Sequence, residues 1–155
     1  MNKRFAEVIE SLHPSFEKLL DMEPVTTTTL LRGMPSSGVY LFTEGAHHLY
    51  VGRSNRLRSR VRRHGAETAT HNVAAFAFRI AREATGNTQA TYKPVGSRKD
   101  LVRQPAFARA FLEAKARVRR MSVRYVEEPD QVRQAVLEIY VAVALATPFN
   151  DFDTH

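Results

Sequence analysis

A few side chains in this sequence stand at spacings that could do chemistry together. Tyr40 and Tyr50 lie ten positions apart, and Arg60 lies ten beyond Tyr50. His64 follows Arg60 by four, a spacing that stacks two side chains one turn apart on a helix. Far downstream, Glu138 is the only charged residue in the apolar run 135–146. Phenol and imidazole groups can pass protons. Near neutrality an imidazole of pKa about 6.5 is the easier base, because a phenol of pKa about 10 is ionised only about one part in a thousand. An arginine fork can hold a phosphate through two hydrogen bonds. A carboxylate set among apolar neighbours needs a cationic partner or a metal ion.

These groups must be positioned by local structure. Gly38-Val39-Tyr40 opens one β-branched and aromatic run, and Tyr50-Val51-Gly52 closes a second. The pattern predicts a hairpin with strands at 38–43 and 48–52. A two-residue turn at Gly45-Ala46 would pair Tyr40 with Val51 and put the tyrosines on opposite faces. An odd-length loop, such as Glu44-Gly45-Ala46 or one relieved by a bulge, puts them on one face, and a shared site favours it. Ser54 or Asn55 can cap a following helix that runs to about His64. At about 100° per residue, Leu57 and Val61 mark its inward stripe. His64 falls within about 20° of Leu57 and Arg60 within about 60°, so these two lean toward the sheet. Arg58, Arg62 and Arg63 point elsewhere, as a basic face.

The remaining chain is read more coarsely. Residues 3–22 have helical spacing interrupted by Pro14, which predicts two short helices or a kink with the second starting at the proline. Residues 26–38 read as an extended connection. A helix from about Asn72 should stop at Gly86, a loop should follow, and a second helical region should begin near Asp100. Residues 121–126 alternate as a strand. Asp130 can cap a last helix, which is apolar all round apart from Glu138 and so is expected to be buried. His47, His48 and His71 have no metal-ligand spacing with a second pair and read as loop and helix-end residues.

Composition narrows the class. A chain of 155 residues can bury one good core and is short for two. With no cysteine it has no disulfide, thiolate zinc site or cysteine nucleophile. No apolar run approaches the roughly 20 residues that span a bilayer. Charges stand where a secretory signal would be apolar, so cytoplasm is the expected compartment. A surplus of 23 Lys and Arg over 16 Asp and Glu gives a net charge of +7, mostly arginine. That favours a polyanionic partner, of which nucleic acid is the commonest.

Gly38-Val39-Tyr40, then Tyr50-Val51-Gly52, then Arg60 and His64, resembles the GIY-YIG nuclease superfamily. The late helix with Glu138, ending at Pro148-Phe149-Asn150, is similar to the same pattern, as in its excision-repair members. The likeness covers about 36–64 and 121–150, and residues 65–120 match nothing in it. It implies an α/β (α+β) domain over residues 1–155. At its centre stands a small three-stranded antiparallel sheet flanked by helices, with a helical lead-in at 1–35 and a helical insert at 65–120. The implied activity is endonucleolytic hydrolysis of DNA, with Tyr40, Tyr50, Arg60, His64, Glu138 and Asn150 catalytic. Glu138 would hold one Mg²⁺ or Mn²⁺ ion. Gly52, Arg53, Arg56, Arg58 and Arg63 are the substrate-binding candidates. Alternatives are a non-cleaving nucleic-acid-binding module on the same scaffold, an RNA-cleaving nuclease, and a basic partner-binding protein with chance motifs.

Overall fold

The structure, a computed structural model, describes residues 1–87 and 95–152. Its centre is an antiparallel sheet of three strands in the order β2-β1-β3, with β1 at Gly38–Glu44, β2 at His47–Ser54 and β3 at Ser122–Glu127. Helices flank it: α1 Lys3–Asp21, α2 Leu57–Gly65, α3 Ala75–Ala84, α4 Arg98–Leu101, α5 Pro105–Arg120 and α6 Gln131–Leu145. The expected mixed α/β class with a small three-stranded sheet is therefore observed. No helix among the described residues is long and apolar enough to cross a membrane.

Strand alternation divides the core. Val39, Leu41, Val51 and Val126 pack with Leu12 and Leu19 of α1 and Leu137 and Val141 of α6. Tyr40, Phe42 and Tyr50 pack on the other face, with Leu57 and Val61 of α2, Phe76 of α3 and Phe111 of α5. The sheet thus separates an aliphatic layer from an aromatic one.

The hairpin reaches the expected facing by a different route. Glu44 pairs with His47 across a two-residue turn at Gly45-Ala46, and Gly45 adopts φ +59°, a left-handed value that suits glycine. The ladder then shifts between Phe42 and Thr43: Thr43 pairs with His48, but Phe42 pairs with Tyr50 and Tyr40 with Gly52. Leu49 is the extra residue of a bulge, and it restores what an odd-length loop would have done. Tyr40, Phe42 and Tyr50 share one face.

Several boundaries depart from expectation for local reasons. Pro14 does not divide the first helix, which runs unbroken over 19 residues. Its Leu12 and Leu19 are both fully buried in the aliphatic layer, and that burial holds the helix together across the missing N–H. The helix after the hairpin starts at Leu57 rather than directly after Ser54 or Asn55, because Ser54 Oγ accepts from Arg56 N at 2.9 Å and delays it. The helix expected from Asn72 begins at Ala75, and Gly86 at φ +75° follows its end. The expected loop after it lies partly outside the described residues. Pro105 opens α5, and Asp130 caps α6 by accepting from Arg133 N at 2.9 Å. The last helix is not buried all round: Val132, Ile139 and Val143 are exposed, because the sheet and α1 cover only its inner side.

Gly52 stands against the Tyr40 ring. A Cβ built there would lie 2.3 Å from Tyr40 Oη and 2.4 Å from its Cζ, so the Tyr40 ring lies directly across this position of β2. Gly52→Ala is expected to destabilise the fold by about 1–3 kcal/mol through overpacking. Gly33→Ala, where no atom lies within 4 Å of the added carbon, should stay within about 0.5 kcal/mol of wild type. Urea unfolding of both variants checks the contrast.

Candidate active site at the edge of the sheet

The aromatic face of β1 and β2 meets α2 around one buried hydrogen bond. Tyr40 Oη and His64 Nε2 stand 2.7 Å apart, and both residues are fully buried. Tyr50 joins them, its ring centroid 6.5 Å from Tyr40 and 5.6 Å from His64. Phe76 of α3 stacks on Tyr50 at 4.7 Å with an interplanar angle of 9°. His64 Nδ1 is buried and has no hydrogen-bond partner among the described residues.

Arg60 leaves the same face of α2 and donates from Nη1 to Val73 O at 3.0 Å. Its charge and hydrogen bonding favour ionisation of both tyrosines, but burial outweighs it and holds both phenols above their ordinary pKa. Burial also lowers His64 to about 3, with the charge of Arg60 adding to the effect. At neutral pH the pair is therefore a neutral phenol bonded to a neutral imidazole.

Glu138 reaches this point from the other layer. It lies on α6, which packs against the aliphatic face, and its Oε2 accepts from Arg53 Nε at 3.0 Å. Burial keeps its carboxyl above the ordinary value although Arg53, by charge and hydrogen bond, and Arg60, by charge, both pull it down. The charge of Glu138 in turn acts on Tyr40 and Tyr50. The five groups therefore form one electrostatic cluster, drawn from β1, β2, α2 and α6. No group of three or more His, Cys, Asp or Glu among the described residues could hold a metal. Glu138 is thus a lone carboxylate with one oxygen on Arg53.

Asn150 has a different task. Its Oδ1 accepts from Val51 N at 2.9 Å and from Thr147 Oγ1 at 2.8 Å, and its Nδ2 donates to Val51 O at 2.8 Å. The amide thus presents to the outer edge of β2 the donor and acceptor that another strand would. Phe149 N adds a bond to Leu49 O at 3.1 Å. Asn150 holds the strand that carries Tyr50.

The substrate-binding candidates divide. Gly52 lies under Tyr40, and Arg53 is paired with Glu138. Arg56, Arg58 and Arg63 are exposed and turned from the tyrosines, and Arg58 bonds to Leu31 O. Arg79 of α3 was not singled out by sequence reasoning. Its charge favours ionisation of the Tyr50 phenol, and it donates to Phe149 O at 2.5 Å. The available signal was a lone arginine in the apolar run Ala75-Phe76-Ala77-Phe78-Arg79-Ile80-Ala81. No protein-family model, curated protein or solved structure matches this chain.

The neutral His64 makes stability depend on acid. The unfolded chain takes a proton on this residue near pH 6.5, whereas the folded chain resists until about pH 3. Between those limits the unfolded state binds more protons, so stability falls as pH falls, by up to about 1.4 kcal/mol per pH unit. Above pH 6.5 this contribution is fully present. Urea midpoints from pH 4 to 7.5 should show a shallower slope in His64→Gln. His48 and His71, also held low by burial, should leave a remainder.

Proposed function

We propose that this chain is a metal-dependent endonuclease that hydrolyses DNA phosphodiester bonds by a GIY-YIG-type mechanism. What supports the reading is the convergence of Tyr40, Tyr50, Arg60 and His64 from one face of the sheet with Glu138 from the helix behind it. A concentration of guanidinium groups around two phenols and one carboxylate suits a substrate that carries negative charge and gains more in the transition state.

Each group then takes a role. Arg60 neutralises charge that grows on the phosphoryl oxygens, and Arg53, paired with Glu138, is a second donor. Glu138 would hold Mg²⁺ or Mn²⁺, which when bound would supply Lewis-acid polarisation of the phosphate. His64 is a poor base here, since it is fully buried, its pKa is lowered to about 3 and Nε2 is occupied by Tyr40. It orients Tyr40 instead. Tyr50, at 8% exposure against 0% for Tyr40, is the phenol that water can reach. Tyr50 as phenolate takes the proton of the attacking water while the water oxygen bonds to phosphorus and the bridging oxygen departs.

The second reading, a nucleic-acid-binding module that does not cut, is favoured by one observation: Arg53 already occupies an oxygen of Glu138. Supercoiled-plasmid nicking in Mg²⁺ or Mn²⁺ separates the two, with labelled RNA run in parallel. Glu138→Ala is expected to reduce cutting at least about a hundredfold while DNA binding persists. No cutting by wild type in any metal or salt condition leaves the binding module.

A phenol base held above its ordinary pKa gives a rate that climbs with pH beyond neutrality. Log rate is expected to rise with a slope near one from about pH 6 to 9, and single-turnover cleavage measures it. A flat profile with chemistry rate-limiting would rule out the phenol as base.

A further inference from the structure

On the side of α2 away from the tyrosines the structure has a cavity of about 770 Å³, within the range of about 300–1,000 Å³ that small-molecule sites occupy. None of Tyr40, Tyr50, Arg60, His64 or Glu138 lines it. Arg56, Arg58, Arg62, Arg63 and Arg119 do, and no Asp or Glu does. None of the five is in an ion pair with a carboxylate among the described residues. Five like charges gathered round one concavity repel one another and focus a positive potential into it. The first turn of α2 borders the same space and adds the positive end of its dipole.

The cavity is also held in shape. Arg119 Nη1 donates to Gly65 O at 2.6 Å, and a Cβ at Gly65 would lie 2.6 Å from Arg119 Cγ. The glycine is what lets α5 bring this arginine onto the end of α2. Arg58 is tied to Leu31 O in the segment that precedes β1. Between the cationic groups the wall has an apolar part at Met34, Pro35 and Ala66, bordered by the hydroxyl residues Thr27, Thr28, Ser36 and Ser59. Asn55, in the β2–α2 connection, reaches the rim, where its Oδ1 accepts from Gln134 Nε2 at 2.8 Å. Two residues before it stands Arg53, paired with Glu138.

We propose that this cavity binds a nucleotide, with the base against Met34, Pro35 and Ala66 and the phosphate on the arginines. A simple phosphate would leave the apolar wall idle, and an apolar ligand would leave five cations without a counter-charge. The nucleotide is either one unit of a strand that continues past Asn55 toward the tyrosine cluster or a free nucleoside phosphate. The first form rests on the nucleic-acid reading above; the second does not.

Fluorescence anisotropy tests this, with a fluorescein-labelled single-stranded DNA of about eight nucleotides in EDTA and in the Glu138→Ala background, so that nothing is cut. Arg62→Glu/Arg63→Glu is compared with Lys3→Glu/Arg4→Glu, which makes the same charge change on α1. The cavity pair is expected to weaken binding at least about tenfold and to lower the salt slope by about 1–2, against about twofold or less for the α1 pair. AMP should displace the labelled strand at lower concentration than inorganic phosphate does. Displacement by unlabelled strand at far lower concentration than AMP assigns the cavity to a nucleotide within a chain, and comparable displacement by AMP assigns it to a free one. Equal weakening by the two charge pairs overturns the proposal, as does inorganic phosphate competing as well as AMP. Should charge reversal disturb α2, seen by circular dichroism, Arg62→Gln/Arg63→Gln replaces it. A wild-type protein that never nicks plasmid yet shows the cavity-specific loss sinks the nuclease reading and leaves this one standing. Nicking without that loss does the reverse.

Discussion

Tyr40 can lie where it does only because its cross-strand partner has no side chain. Gly52 stands opposite it in the ladder, the phenol ring crosses that position, and the hydroxyl reaches His64 on α2. A methyl group at 52 would occupy the space of the phenol itself. The bulge at Leu49 makes this pairing possible, because without the extra residue Tyr40 would oppose Val51. One inserted residue and one missing side chain thus place two tyrosines, an arginine and a histidine on a common face.

The electrostatics of the cluster follow from burial more than from charge. Tyr40, Tyr50 and Glu138 are each surrounded by arginine influence that favours the ionised form, and each is nonetheless pushed toward the neutral one. For each of them desolvation exceeds what the nearby guanidinium groups return. His64 is driven the same way by both effects, because burial and Arg60 alike disfavour its charged form. The cluster therefore sets groups held toward their neutral forms beside guanidinium groups that favour added negative charge.

β2 is an edge strand, and exposed edges invite unwanted pairing. The segment after α6 covers this one: Phe149 bonds to Leu49, and the Asn150 side chain pairs with both backbone groups of Val51. Arg79 holds Phe149 O from α3, and Phe149 in turn packs edge-on against Phe76, the ring that stacks on Tyr50. The end of the chain, the insert and the hairpin are thereby locked together around Tyr50.

The strands, the helices and the inward lean of Arg60 and His64 were legible in the sequence, because period-2 and period-3.6 patterns depend only on local geometry. So was the isolation of Glu138 among apolar residues. The sequence could not say that Arg53 would face Glu138, that Arg79 would act on Tyr50, or that Asn150 would pair with Val51, contacts that join residues 85, 29 and 99 positions apart. It also left undecided how the tyrosines came to share a face, since turn and bulge differ by one residue whose placement depends on packing against α2 and α3. Nor could it reveal that the helical stretch 135–146, apolar apart from Glu138, would leave Ile139 and Val143 in solvent, because burial depends on which layers exist to cover a face. Periodicity determined the elements and their inner sides, and tertiary packing decided which charges meet and which groups lose water.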